Sequence, residues 1–183
     1  MKRRDFLRTG GTLLAGAALA PGAVFATQAT VIKMISKNVG AAVTFDPIGL
    51  YLAEVGQTVR WHCVSGVHTT TAYHPDNGEH SLRIPENAEP WDSGYLQVGD
   101  TFEYTFTVPG VYDYFCLPHE LAGMVGRIIV ADVSGPGAKP FDYFKDEPGT
   151  KDWQPVPAAA QKNFPSIEAI MQQHRISAQD DAA

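Results

Sequence analysis

Between Thr30 and Val130 the apolar and polar positions alternate in short runs. Val59, Trp61 and Cys63 interleave with Arg60 and His62, and Phe102, Tyr104 and Phe106 interleave with Glu103 and Thr105. A period of two places one side of each run in a core and the other toward water, as a half-buried strand requires. Strands are predicted over 29–36, 41–45, 58–63, 69–73, 101–108, 111–115 and 127–130. Val55-Gly56-Gln57 and Val98-Gly99-Asp100 read as turns that launch strands, and Pro109-Gly110 reads as a tight hairpin connection. About seven or eight short strands in roughly 100 residues, with regular turn residues between them, predict an all-β fold, a Greek-key β-sandwich.

Two stretches depart from that pattern. Residues 76–92 are rich in Pro, Asn, Glu and His without periodicity, and are expected to form a long surface loop or irregular helix crossing between the sheets. Beyond Asp132, Ser134-Gly135-Pro136-Gly137 reads as a linker. The segment 139–165 then carries Phe141, Tyr143, Phe144 and Trp153, too apolar for a free tail. Ser166 is placed to cap a helix running to about Ile176, with Ile167, Ile170 and Met171 on one face. The expectation is a C-terminal extension, 132–183, that contains a short helix and packs on the domain.

The amino terminus reads as an address. Lys2-Arg3-Arg4 with Phe6-Leu7 forms a basic twin-arginine region, a weakly apolar stretch follows from Gly10 to Ala20, and Val24-Phe25-Ala26 offers a cleavage site. Residues 1–26 are therefore expected to be a twin-arginine signal peptide, residues 27–131 the domain, and the mature protein periplasmic or otherwise extracytoplasmic. Nothing after residue 26 resembles a membrane span, for which about 18 consecutive apolar residues are needed. Removal of the leader takes away four basic residues and one acidic residue. That leaves 10 Lys plus Arg against 19 Asp plus Glu, a formal charge of −9. Such a surface excludes a nucleic-acid partner, because phosphate binding needs the opposite sign. It suits a basic protein partner, although acidity also serves solubility.

The chemistry lies in one run from Gly110 to Val130. A predicted strand ends at Cys116, and a short loop carries His119 and Met124 into the next strand. Thiolate, imidazole and a weak thioether together suit copper in both oxidation states, because the sulfur ligands favour Cu(I) and imidazole also serves Cu(II). Two cysteines in an exported chain would also admit a Cys63–Cys116 disulfide. The surroundings of Cys116 argue against it, and Cys63 sits at an inward strand position as a small buried hydrophobe.

The run Tyr112-Asp113-Tyr114-Phe115-Cys116-Leu117-Pro118-His119 followed by Gly123-Met124-Val125-Gly126 resembles the copper loop of the type 1 (blue) copper family, the cupredoxins, of plastocyanin and pseudoazurin kind. The similarity extends upstream through Gly56-Gln57-Thr58-Val59-Arg60-Trp61 and Thr101-Phe102, over about residues 30–131. It implies a cupredoxin-like sandwich holding one type 1 copper ion. It also implies a one-electron carrier between redox protein partners rather than an enzyme. The resemblance requires one more histidine ligand from an upstream loop. His68 fits the turn after the Trp61 strand, with His74, of the same parity, as the rival. His62 has the parity opposite to Trp61 and should point away from the core. His80 is expected to be solvated, and His174 to lie in the tail helix.

The implied ligands are His68, Cys116, His119 and Met124, the last as a weak axial donor. Thr69 stands where the family usually has Asn, and its hydroxyl is expected to tie the two ligand loops together. Pro118 removes a backbone donor near the sulfur. Leu117, Pro118, Leu121, Ala122 and Val125 would surround the His119 edge with apolar surface for brief docking. An alternative is a copper-binding or delivery protein with no electron-transfer role. Four scattered methionines form no delivery tract.

Overall fold

A computed structural model describes residues 29–37 and 42–178; the twin-arginine segment lies outside the described residues. Among the described residues, one sheet has the order β2-β1-β4-β6, built from β1 (Thr30–Lys37), β2 (Ala42–Asp46), β4 (Thr58–Cys63) and β6 (Thr101–Thr105). The other has the order β5-β7-β8-β3-β9, from β3 (Gly49–Leu52), β5 (Thr71–Ala72), β7 (Gly110–Phe115), β8 (Val125–Val130) and β9 (Arg175–Ile176). The helices α1 (Ala158–Asn163) and α2 (Ile167–Gln173) follow in the C-terminal segment. The core lies between the sheets, where Ile32, Met34, Trp61 and Cys63 of one meet Leu50, Tyr112, Tyr114 and Ile128 of the other.

β4 shows the period of two that the sequence carries: Val59, Trp61 and Cys63 are buried while Arg60 is exposed and pairs with Glu103. β7 and β8 behave differently, being buried at every position. Their inner residues enter the core, and the C-terminal segment covers their outer face. Val111 and Ile129 pack with Ile170 of α2, while Phe115 and Val125 pack with Val156 and Ala160. Gly49 permits part of this contact, because a Cβ there would lie 2.8 Å from Ile170 Cγ1.

A buried ionic cluster fastens the same segment. Arg127 donates from Nε to Asp113 Oδ1 at 2.6 Å and from Nη2 to Oδ2 at 2.9 Å, and Arg83 Nε donates to Oδ2 at 3.1 Å. One carboxylate thus serves two guanidiniums, leaving surplus positive charge in a dry site. Backbone carbonyls of the C-terminal segment answer it: Gly137, Lys139 and Pro140 accept from Arg83, and Pro165 accepts from Arg127. Phe141 and Phe164 lie against the Arg83 and Arg127 guanidiniums at 4.4 and 5.0 Å.

Several expectations need correction. Pro109-Gly110 is not a hairpin, because β6 and β7 belong to different sheets and the connection crosses between them. The 76–92 segment is not simply a surface loop: Arg83, Ile84 and Trp91 are buried in it. The tail helix stops at Gln173, where His174 takes a left-handed conformation (φ 62°) and its N–H closes on Ile170 O at 2.7 Å. Ser166 does cap it, accepting from Ala169 N at 3.1 Å. The short elements β3, β9 and α1 were not expected.

Candidate metal centre

Cys116 follows the last residue of β7, and its loop is closed by its own backbone. Cys116 N–H donates to Met124 O at 3.0 Å, His119 N–H to Cys116 O at 2.9 Å, and Met124 N–H to His119 O at 3.1 Å. Between them Leu117–Ala122 forms a 3-10 turn, with Pro118 in its first turn and Gly123 ending it in a left-handed conformation (φ 81°). A second loop brings His68 alongside, pinned by reciprocal backbone bonds with Leu96 at 3.1 and 2.8 Å. The His68, Cys116 and His119 ligand atoms all lie within 4.8 Å of one another. His68 Nδ1 is 3.5 Å and His119 Nδ1 3.3 Å from Cys116 Sγ. Met124, fully buried, belongs to the same core cluster as Cys116.

His68 is prepared for ligation through one nitrogen. Its Nε2 lies 2.8 Å from the Ser65 carbonyl, an acceptor only, so that nitrogen carries the proton and Nδ1 keeps a free lone pair toward the cysteine. Ser36 Oγ lies 3.1 Å from the same Nε2. Burial lowers the His68 pKa; the nearby His119 ring lowers it further, against the opposing Ser65 bond. Burial likewise lowers that of His119. Both rings therefore favour the neutral form that binds metal. Burial raises the Cys116 thiol to about 11, although the Thr69 N–H at 3.3 Å works against that. A cation must displace this proton for the sulfur to ligate as a thiolate.

Thr69 occupies the position expected of it. Its N–H points at Cys116 Sγ, and its hydroxyl accepts the Leu117 N–H at 2.8 Å, joining the two loops. The donor set of one cysteine sulfur, two imidazole nitrogens and a buried thioether fits a copper ion, and the site can bind one.

The other histidines lie elsewhere. His74 falls outside the cluster, its Nδ1 accepting the Asp76 N–H at 3.2 Å. His62 is half-buried between inward neighbours. His174 ends α2, its ring tilted against Tyr51 at 5.1 Å between centroids. The expectation for His80 is corrected: only 6% exposed, it stacks on Phe115 at 4.4 Å and bonds Glu120. Cys63 and Cys116 are both free and buried, so no disulfide competes for the sulfur.

Around the His119 edge, Leu117 and Leu121 are exposed, Leu121 to 80%, and Val67 and Tyr95 extend the apolar surface across a groove. Val125 does not join them, because it is buried under the C-terminal segment against Phe115 and Val156. Sequence reasoning missed Tyr73, His80 and Glu120, which meet beside the ligand loop, and the pair Thr71 and Asp92. Their contacts join residues 21 to 47 positions apart, and no local spacing announces them.

The chain is similar to known proteins over this region. A family model described as copper binding proteins of the plastocyanin/azurin family matches residues 40–131. Chloroplastic plastocyanin of Oryza sativa subsp. indica is 28% identical over 117 residues, covering 63% of this chain and 73% of that protein. Chloroplastic plastocyanin of Tetradesmus obliquus is 30% identical over 128 residues, covering 67% and 79%. Among solved structures, a pseudoazurin from Sinorhizobium meliltoi superposes with a TM-score of 0.52 at 27% identity, covering 79% of this chain and 97% of its own.

Proposed function

Because the chain belongs to the plastocyanin/azurin family of copper-binding proteins, we propose that it is an exported one-electron carrier holding one type 1 copper ion through His68, Cys116, His119 and Met124. The observation that carries this reading is the convergence of the His68, Cys116 and His119 ligand atoms within 4.8 Å of one another, with both Nδ1 atoms within 3.5 Å of Cys116 Sγ. Copper bound there supplies a one-electron couple. His68 and Cys116 are fully buried and excluded from water, and the His119 ring borders the surface groove. An electron therefore enters and leaves through the His119 edge, where Leu117 and Leu121 offer a small apolar contact for a redox protein. The acidic balance of the chain favours a basic partner surface.

Export rests on the twin-arginine leader, 1–26, with 27–131 as the copper domain and 132–183 as an extension packed on it. Among the described residues no helix is long and apolar enough to cross a membrane. The role needs no catalytic residue.

Copper-loaded protein is expected to absorb strongly in the visible through thiolate-to-Cu(II) charge transfer, and a reductant should bleach it. Cys116→Ala should abolish the band while far-UV circular dichroism still reports the β-sandwich. A colourless loaded parent, or a Cys116→Ala protein that stays blue, would overturn the reading.

A further inference from the structure

The turn that carries His119 has no apolar anchor of its own. No residue of Leu117–Ala122 is buried, and its two leucines face outward. A loop so placed would be free to shift as the ligand bonds change between oxidation states, unless polar contacts hold it. Thr69 holds its first N–H, and Asn163 Nδ2 donates to the Gly123 carbonyl at 3.0 Å just beyond its end.

The middle is held by Glu120, next to His119. Tyr73 donates its hydroxyl to Glu120 Oε1 at 2.7 Å, and His80 Nε2 lies 3.2 Å from Oε2. Both partners are interior residues, Tyr73 fully buried and His80 6% exposed. Both rings rest on Phe115, Tyr73 at 4.5 Å and His80 at 4.4 Å between centroids. Phe115 precedes Cys116. The residue before the thiolate ligand and the residue after the imidazole ligand are thus joined through two buried side chains. None of these four residues is a ligand, and His80 Nδ1 is fixed in turn on the Asn77 carbonyl at 2.6 Å.

We propose that Glu120 is a positioning residue for the metal centre: gripped by Tyr73 and His80, it keeps His119 in its ligating place through both oxidation states. This rests on the reading that the loop holds copper. A held ligand lowers the rearrangement that accompanies electron transfer, because the geometry is prepared before the electron arrives.

The test compares Glu120→Ala, which removes the grip, with the uncharged Glu120→Gln, whose amide oxygen can still accept from Tyr73 and whose amide N–H can donate to Nε2 of a neutral His80. Electron self-exchange, read by NMR line broadening in half-oxidised samples, should slow in Glu120→Ala and largely recover in Glu120→Gln. Hydrogen exchange at the His119 amide of copper-free protein should quicken and recover in the same order. Tyr73→Phe, which deletes one of the two partners at constant charge, should give a smaller effect of the same kind and serves if Glu120→Ala does not fold. Unchanged self-exchange and amide protection in Glu120→Ala would overturn the proposal. A Glu120→Gln protein no better than Glu120→Ala would also overturn it, since charge would then be the cause. If the parent takes up no copper, the proposed function falls, while the amide measurement on copper-free protein still tests the grip.

Discussion

The Thr69 hydroxyl accepts the backbone N–H of Leu117 at 2.8 Å, so the residue after one candidate ligand holds the residue after another. The same oxygen lies 2.9 Å from Thr71 Oγ1, and Thr71 donates to Asp92 Oδ1 at 2.9 Å. A carboxylate oxygen accepts, which fixes the direction of the relay. Thr71 gives its proton to Asp92, Thr69 gives its own to Thr71, and a Thr69 lone pair remains for Leu117.

Thr69→Val keeps the shape of the side chain and removes both bonds. The Leu117 N–H and the Thr71 hydroxyl lose a partner, at an expected cost of about 1–3 kcal/mol. Thr69→Ser should retain most of the stability. Urea unfolding of copper-free protein measures both, and a valine variant as stable as the parent would contradict the role given to the hydroxyl.

Much of the sandwich was legible because half-buried strands write their burial as a period of two, as Val59, Trp61 and Cys63 do. β7 and β8 escaped that logic, since the C-terminal segment buries their second face as well. β3 is four residues long and β9 two, too short for any period to show. Within the site, Cys116, His119 and Met124 were readable because chain reversal puts three donors in one loop. His68 required the family resemblance, as even Cys116, the nearest in sequence of its partners in the site, lies 48 residues away. Glu120 carries no local signal in the sequence. Its meaning depends on Tyr73 and His80, which only the packing of a distant loop brings to it.

The buried carboxylate of Asp113 carries a testable energetic weight. Asp113→Ala would leave Arg83 and Arg127 without their shared counter-charge, and removing one partner of a buried pair costs about 3–5 kcal/mol. The loss should loosen the C-terminal segment first, because Gly137, Lys139, Pro140 and Pro165 are bonded to those guanidiniums. Denaturant unfolding reads the energy, and limited proteolysis reads the loosening. Equal protease resistance in parent and variant would refute the fastening role.

Leu121, 80% exposed beside the His119 turn, tests the docking surface. Leu121→Lys places a charge in the apolar patch without touching a ligand, so the visible spectrum should not change. Self-exchange should slow by about tenfold, comparable to losing one interface anchor. An undiminished rate would place the electron port elsewhere.

His80 offers a pH dependence whose sign can be worked out. Burial opposes charging its ring, but the Glu120 carboxylate at 3.2 Å and the Asn77 carbonyl at 2.6 Å outweigh burial and raise the pKa above its ordinary value. Both ring nitrogens face acceptors, which suits the doubly protonated form. A group whose folded pKa is raised contributes stability that is fully present below its unfolded pKa of about 6.5 and is lost as pH climbs through the folded value. His68 and His119, both lowered, act in the other window: their contribution is lost as pH falls below about 6.5. The stability of copper-free protein should therefore decline as pH rises above about 6.5 through the raised His80 value. His80→Gln should remove that decline and leave the acid limb in place. NMR of the His80 ring provides the direct measurement. A ring that titrates below the ordinary histidine value, or a parent whose stability is flat across that range, would show that the Glu120 contact does not hold the charge.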